Sequence, residues 1–463
     1  MNAPLFGITR RSVVLVACEA LLILSAVSIG ASLVDAEQPL LRLVIDGLPR
    51  ALLITVVLQL CLYYGDWYEP RRSTDRHALF IGMVQALSAT CFVLATIYVW
   101  LPALAMRRGV FFVASFLIVV SVAGWRLAFE WLTDRVAARR RLLIVGTEPA
   151  TVHLARELFE RRYELGIDIV GFIDPDPARL GMPLINPGVI GTIDDIPSIV
   201  RARQVDRVIV SLGDARGKLP METLLDMKLG GVAFDHLATV YEELTGKIAV
   251  RNVRPSWLIF SAGFRKSRVG RVAKRLMDIT SGVIGLTLAA PLLALVGVAV
   301  KLTSPGPVLY SQQRVGQHGR LFTVRKFRSM RQDAEAATGA VWAQKNDARV
   351  TRIGRFIRRT RLDEMPQLWN VLVGDMSLVG PRPERPEFVK QLTEQIPFYG
   401  QRHVIRPGLT GWAQVRYTYG SSVEDAMEKL QHDLFYIKHL SIALDLYIIV
   451  STIKTVVMRK GAV

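Results

Sequence analysis

The chain has 463 residues, 51% of them hydrophobic, with 58 Lys and Arg against 40 Asp and Glu, a formal net charge of +18 and a mean hydropathy of +0.30. A nucleic-acid partner would suit the charge but not so apolar a composition, so the basic excess points to anionic lipid headgroups and phosphorylated substrates instead. Cys18, Cys61 and Cys91 lie in apolar stretches and the histidines are scattered, which excludes a disulfide framework and a His-built zinc site.

Four apolar runs open the chain: 13–34, about 40–64, 78–104 and 110–131. Each can cross a hydrocarbon layer of about 30 Å as a helix, although Arg42, Asp46 and Arg50 place the start of the 40–64 run outside the membrane. Arg10 and Arg11 precede the first run, Arg71, Arg72 and Arg76 follow the second, and Arg135, Arg139, Arg140 and Arg141 follow the fourth. By the positive-inside rule both ends of this unit, residues 1–140, face the cytoplasm, with Arg107 and Arg108 as the exception. The first run has no small-residue cleavage site and reads as an anchor. Glu19 lies near its cytoplasmic end and is expected to snorkel to the interface.

From residue 141 to about 260 the periodicity changes. "RRLLIVG" reads as a buried strand, "PATVHLARELFERR" as an amphipathic helix, "IDIVGFID" as a second strand, and "DDIPSIVRARQVDRVIVSL" as a helix leading to a third. This order predicts a Rossmann-like parallel sheet of the doubly wound type. Gly146 is followed by Thr147, Glu148 and Pro149, so the glycines that let a backbone approach a pyrophosphate are missing. A structural or regulatory role is favoured over NAD binding, and Asp174 and Asp176 read as turn acids rather than ribose ligands.

A further apolar run, 279–300, has cations at both ends: Arg268, Arg271, Lys274 and Arg275 before it, Lys301, Arg314, Arg320, Arg325, Lys326 and Arg328 after it. No crossing orientation satisfies the positive-inside rule, and Pro291 near the middle favours a bend. The expectation is a re-entrant helix, broken at Pro291, that returns to the side it entered from; the alternative is a fifth, kinked span. Beyond it, "PVLYSQQRVGQHGRLFTVRKFRSM" reads as a hairpin around Gly316 and Gly319, and "DARVTRIGRFIRRTRLDE" brings Arg349, Arg352, Arg355, Arg358, Arg359 and Arg361 up to Asp363 and Glu364. Two readings of that acid pair stand side by side. Thr360 and Asp363 have the spacing of a capping box. Equally, a small acidic centre in a cationic surface is what phosphoryl transfer from a diphosphate requires, with arginines on oxygens and carboxylates to attack or to hold Mg²⁺.

The ordered set "AKRLMDIT", "VKLTSPGPVLYSQQRVG", "FTVRKFRSM", "RVTRIGRFIRRTRLDEMPQLWNVLVGDMSLVGPRPE" and "VIRPGLTGWAQV" resembles the catalytic domain of the bacterial polyprenyl-phosphate hexose-1-phosphate transferases, over about residues 268–463. The preceding spans and Rossmann-like domain resemble the large membrane members of that family. The resemblance implies a membrane α plus α/β protein: four transmembrane helices, a Rossmann-like domain, and a mainly helical catalytic domain with a re-entrant helix. It implies Asp363 as nucleophile, Glu364 as ligand of a Mg²⁺ cofactor, and Lys326, Arg328, Arg358 and the Pro381-Arg382-Pro383 turn as substrate-binding groups. The family's Ser-Pro helix break falls on Ala290-Pro291, which lacks the hydroxyl. After "GWAQV" relatives often continue Asn-Gly-Arg, whereas "RYTYGSSVEDAMEKL" here is similar to a subgroup tied to exopolysaccharide export.

The implied reaction moves hexose 1-phosphate from a UDP-hexose to polyprenyl phosphate through a covalent aspartyl intermediate, releasing UMP. It would be the first membrane step of exopolysaccharide biosynthesis, on the cytoplasmic face of the bacterial inner membrane. The implied partners are UDP-hexose, polyprenyl phosphate and membrane lipids; a homodimer is compatible and nucleic acid is not expected. A nucleotide-gated transporter would leave residues 362–384 without a purpose, and a non-catalytic scaffold would not need the acid pair.

Overall fold

The computed structural model of the protein describes residues 10–34, 40–65, 76–136, 140–211, 221–250, 263–264, 267–332, 334, 349–417, 420 and 422–457. The side chains of Arg10, Arg11, Arg42, Asp46, Arg71, Arg72, Arg76, Arg135 and Arg139, which bear on span orientation, lie outside the described residues. The chain divides into two compact units, Gly7–Asp235 and His236–Val463.

The first unit begins with α1 (Arg10–Val34), α2 (Leu40–Tyr64), α3 (Arg76–Trp100) and α4 (Arg108–Val136). Among the described residues, these and one helix of the second unit make five that are long and apolar enough to cross a membrane. α3 stops at Trp100 instead of running to 104, because Pro102 starts a separate 3-10 turn and has no N–H for a helical bond. Small residues let α1 and α4 approach closely: a Cβ on Gly30 would lie 3.1 Å from the backbone nitrogen of Ala114. Ile23, Val27, Ile118 and Val122 fill the seam.

Glu19 does not snorkel. It is fully buried, and its two oxygens accept from Nε and Nη2 of Arg126 on α4, at 2.6 and 3.1 Å. An ionisable side chain inside an apolar bundle persists when a partner neutralises it, and here the guanidinium matches the carboxylate fork.

The rest of the unit is a five-stranded sheet in the order β3-β2-β1-β4-β5, built from β1 (Arg140–Val145), β2 (Ile167–Ile173), β3 (Val189–Gly191), β4 (Arg207–Val210) and β5 (Ala233–His236). β1 pairs in parallel with both β2 and β4, so chain order reverses direction around it, as the doubly wound reading predicts. β3 and β5 are short edge strands with too little alternation to announce themselves in sequence. Between the strands run α5 (Pro149–Glu160), the single turn α6 (Arg162–Leu165), α7 (Ile196–Arg203) and α8 (Met221–Leu229).

The second unit opens with α9 (Leu237–Thr245), and residues 237–250, expected to belong with the sheet domain, pack here instead: Ile248 and Val250 lie in the same core as Val371, Leu430 and Leu444. α10 (Arg268–Thr303) follows. It runs as one helix through Ala290 and Pro291, so the expected break is not an interruption of the helix; a single proline removes only its own N–H. Both halves rest on the same domain. Lys274 reaches Asp445, Arg275 the carbonyls of Val371 and Leu372, and Asp278 accepts from Ser377 and Leu378, while Val296 and Val300 pack against Phe327 and Ile357. Between them Leu288, Leu292, Leu295 and Val298 are exposed.

Substituting Arg126→Ala should strand the Glu19 carboxylate among apolar neighbours and destabilise the helical bundle by about 3–5 kcal/mol. Thermal unfolding of the detergent-solubilised protein measures this, and the charge swap Glu19→Arg with Arg126→Glu should recover part of the loss.

Candidate active site

Four pieces of the second unit converge on Asp363 and Glu364. The first is the hairpin of β6 (Leu309–Val315) and β7 (Leu321–Phe327), whose register sets Lys326 opposite Tyr310. Phe322 and Val324 on the same face are buried, so period-2 alternation turns Lys326 inward, and its Nζ lies 5.3 Å from the Tyr310 ring centre.

The second piece is α11 (Arg352–Arg359), capped by Thr351, whose hydroxyl accepts from Gly354 N. Gly354 is needed where it stands: a Cβ there would lie 1.9 Å from the carbonyl oxygen of Ser329. That contact seats Ser329 beneath Arg358, whose Nε donates to the Ser329 hydroxyl at 2.9 Å. The helix sorts its arginines by period, leaving Arg352, Arg355 and Arg359 exposed and turning Arg358 toward the acids.

Third comes the turn bearing the acids. Arg361 adopts φ +57°, ends the helix and starts a 3-10 segment, Leu362–Gln367, leading into α12 (Leu368–Val373). The capping-box reading fails here: the Thr360 hydroxyl donates backward to the carbonyls of Phe356 and Ile357, and no side chain caps the new segment. Asn370 pins the turn to β7, giving Nδ2–H to Thr323 O at 2.8 Å.

The fourth piece is the Pro381-Arg382-Pro383 turn after β8 (Ser377–Val379), which pairs in parallel with β9 (Gly408–Thr410). Its three carbonyls are each bound, by Gly408 N, Arg402 Nη2 and Arg314 Nη1. With two prolines fixing φ, the turn holds the Arg382 guanidinium in a fork across Glu364, at 2.6 and 3.4 Å.

The adjacent carboxylates are therefore in unequal environments. Asp363 is only 7% exposed and its Oδ1 is buried without a hydrogen-bond partner. Burial and the neighbouring Glu364 push its carboxyl up to about 6, against the pull of Lys326, Arg358 and Arg361. Burial pushes Glu364 the same way, but Arg382, aided by Arg361 and Lys326, overrides it and holds that group at about 2. Burial brings Lys326 down to about 8, with Arg314 adding to the effect and the two acids opposing it.

These groups line a cavity of about 750 Å³, within the range of small-molecule sites. Arg328 lines it too, but its Nη2 is committed to Ser304 at the end of α10, at 2.7 Å to the carbonyl, so it ties the membrane-length helix to the site. Ala290 and Pro291 stand apart, in the exposed middle of α10. Arg402, Lys429 and Gln414 also face the cavity, and none was assigned a role from sequence; Gln414 lies inside the "GWAQV" motif, whereas nothing local marks the other two.

Among the described residues no three His, Cys, Asp or Glu side chains form a metal cluster. The orphaned Asp363 oxygen and the spare lone pairs of Glu364 do fit Mg²⁺, an ion that takes one or two carboxylates and completes its shell with substrate phosphates and water. In the sheet domain, Asp174 accepts from Asp176 N, Thr147 and Arg179, so its carboxylate is occupied by the turn, as the sequence reading expects.

A membrane-length helix is thus joined to a cation-lined cavity that holds one free and one paired carboxylate. The chain belongs to the bacterial sugar transferase family, whose model matches residues 269–459, and residues 64–218 match a CoA-binding domain. It is similar to the UDP-N-acetylgalactosamine-undecaprenyl-phosphate N-acetylgalactosaminephosphotransferase of Aeromonas hydrophila, 45% identical over 49% of this chain, and spans about half (53%) of that relative. It is 36% identical to the UDP-glucose:undecaprenyl-phosphate glucose-1-phosphate transferase of Xanthomonas campestris pv. campestris, over 70% of this chain and 68% of the relative. An exopolysaccharide production protein of Rhizobium leguminosarum bv. phaseoli is 43% identical over 41% of this chain and 96% of its own length.

Because the folded protein raises the Asp363 pKa, this group favours the folded state least when ionised: its contribution falls as pH rises from about 4 to about 6. Asp363→Asn should therefore stabilise the protein above pH 6, by on the order of 1–3 kcal/mol, with the gain vanishing near pH 4. Thermal midpoints of both proteins across that range provide the measurement.

Proposed function

We propose that the protein transfers hexose 1-phosphate from a UDP-hexose to polyprenyl phosphate and releases UMP. The observation that carries this reading is the buried, unpartnered oxygen of Asp363 beside a carboxylate already neutralised by Arg382. In the first step an Asp363 oxygen attacks the β-phosphorus, the bond from that phosphorus to the bridging oxygen breaks, and the electron pair departs with UMP. In the second, a phosphate oxygen of the polyprenyl phosphate attacks the same phosphorus and Asp363 leaves as a free carboxylate. Lys326 and Arg358 hold phosphate oxygens, while Arg382 keeps Glu364 ionised and oriented. Mg²⁺, held by Glu364, supplies charge neutralisation on the diphosphate when bound.

The lipid substrate requires the cavity to lie at a bilayer surface. A re-entrant course for α10, with the catalytic domain on the cytoplasmic side, is supported by cations at both of its ends and by both halves packing on one domain. The named relatives act on glucose and N-acetylgalactosamine nucleotides, so the reading extends to UDP-hexoses as a class. A role in exopolysaccharide synthesis is supported by the Rhizobium relative.

Without lipid acceptor, wild-type protein should retain a radiolabelled hexose phosphate and Asp363→Asn should retain none, with turnover down by roughly three powers of ten or more. An Asp363→Asn protein that releases UMP near the wild-type rate would end the covalent reading. Glu364→Gln should lose turnover severely and regain part of it at raised Mg²⁺. The pH profile should be bell-shaped: activity is lost below about 6 as Asp363 takes up a proton and above about 8 as Lys326 gives one up.

A further inference from the structure

Residues 237–250 form a strap against the catalytic core. Glu242, 4% exposed, accepts from Lys438 at 2.7 Å and lies 2.6 Å from Nε2 of His439, both on α14 (Val423–His439). Lys247 reaches Glu428 at 3.1 Å, and Ile248 N donates to Gln431 O at 3.1 Å. The strap also grips one large side chain. Trp412, 1% exposed, donates its indole N–H to Gly246 O at 2.8 Å. Gly246 has φ +70°, and a Cβ there would stand 3.2 Å from the indole ring, so only glycine permits both the turn and the approach.

Trp412 opens α13 (Trp412–Arg416), whose Ala413, Gln414, Val415 and Arg416 all line the cavity. Arg416 lies 4.6 Å over the Trp412 ring, and Oε1 of Gln414 is buried with no hydrogen-bond partner. A buried acceptor without a donor costs free energy unless a ligand supplies one. Of the two substrates in the proposed reaction, the nucleotide sugar carries hydroxyl and imide donors, whereas an ionised polyprenyl phosphate only accepts. We propose that Gln414 is a specificity-determining residue that takes a hydrogen bond from the nucleotide sugar, and that the 237–250 strap positions it through Trp412.

This inference rests on the proposed reaction, and the test separates the two. Full-length Asp363→Asn protein, which cannot turn over, is titrated calorimetrically with UDP-glucose or UDP-N-acetylgalactosamine, and with polyprenyl phosphate in mixed micelles. If neither nucleotide sugar binds it, the proposed function itself fails. Given binding, adding Gln414→Ala should raise the nucleotide-sugar Kd about tenfold and leave that of polyprenyl phosphate unchanged. Trp412→Phe, which keeps an aromatic ring but loses the indole N–H, should shift the same Kd in the same direction by a smaller factor. A lower folded fraction raises the apparent Kd of both ligands by the same factor, so a loss of stability does not mimic a change confined to the nucleotide sugar. An unchanged nucleotide-sugar Kd in Gln414→Ala, or equal weakening of both ligands, overturns the assignment to Gln414. An unchanged Kd in Trp412→Phe overturns the role of the strap.

Discussion

The Arg382–Glu364 fork is the interaction on which the site depends. Two neighbouring carboxylates taken out of water repel each other, and the state of lower free energy leaves one of them protonated. A guanidinium held across Glu364 settles which one keeps its charge, and Asp363 is left as the group that titrates in the physiological range. Everything that fixes Arg382 serves this division: two prolines, three bound carbonyls, and the β8–β9 pairing beneath.

That pairing is in turn clamped by the membrane-length helix. Lys274 joins Asp445, Tyr436 and the carbonyl of Val379, two residues before the turn begins, and Asp278 takes bonds from Ser377 and Leu378. Arg275 binds the last carbonyls of α12, where a cation also complements the helix dipole. Cations that read in sequence as flanks of an apolar run thus divide into two groups. Arg268 and Arg271 are exposed, while Lys274 and Arg275 tie the helix to the elements carrying the acids and Arg382.

The same kind of pairing occurs in the helical bundle of the first unit, where Glu19 and Arg126 neutralise each other between α1 and α4. Removing either partner leaves a buried charge, which costs more than the intact pair adds over an apolar replacement.

How much was legible in sequence follows from the range of the forces involved. Apolar runs, the parallel-sheet periodicity and the acid pair amid arginines are local or periodic signals, and the four long helices, β1, β2, β4 and the Asp363–Glu364 turn stand close to where the residues put them. One local signal misled, Thr360, which has capping spacing but bonds back into its own helix, while Pro291 marks a position that the helix passes without interruption. Glu19, near a helix end, had a short path to water by sequence, yet a residue 107 positions away meets it inside the bundle. The short edge strands, the transfer of residues 237–250 to the catalytic core, and the cavity positions of Arg402, Lys429 and Gln414 depend on contacts between distant segments. Sequence alone determined which residues could carry chemistry, because charge and periodicity are properties of the chain itself. Only the tertiary structure decided which carboxylate is paired and which is free, because desolvation and ion pairing exist only once those distant segments pack together.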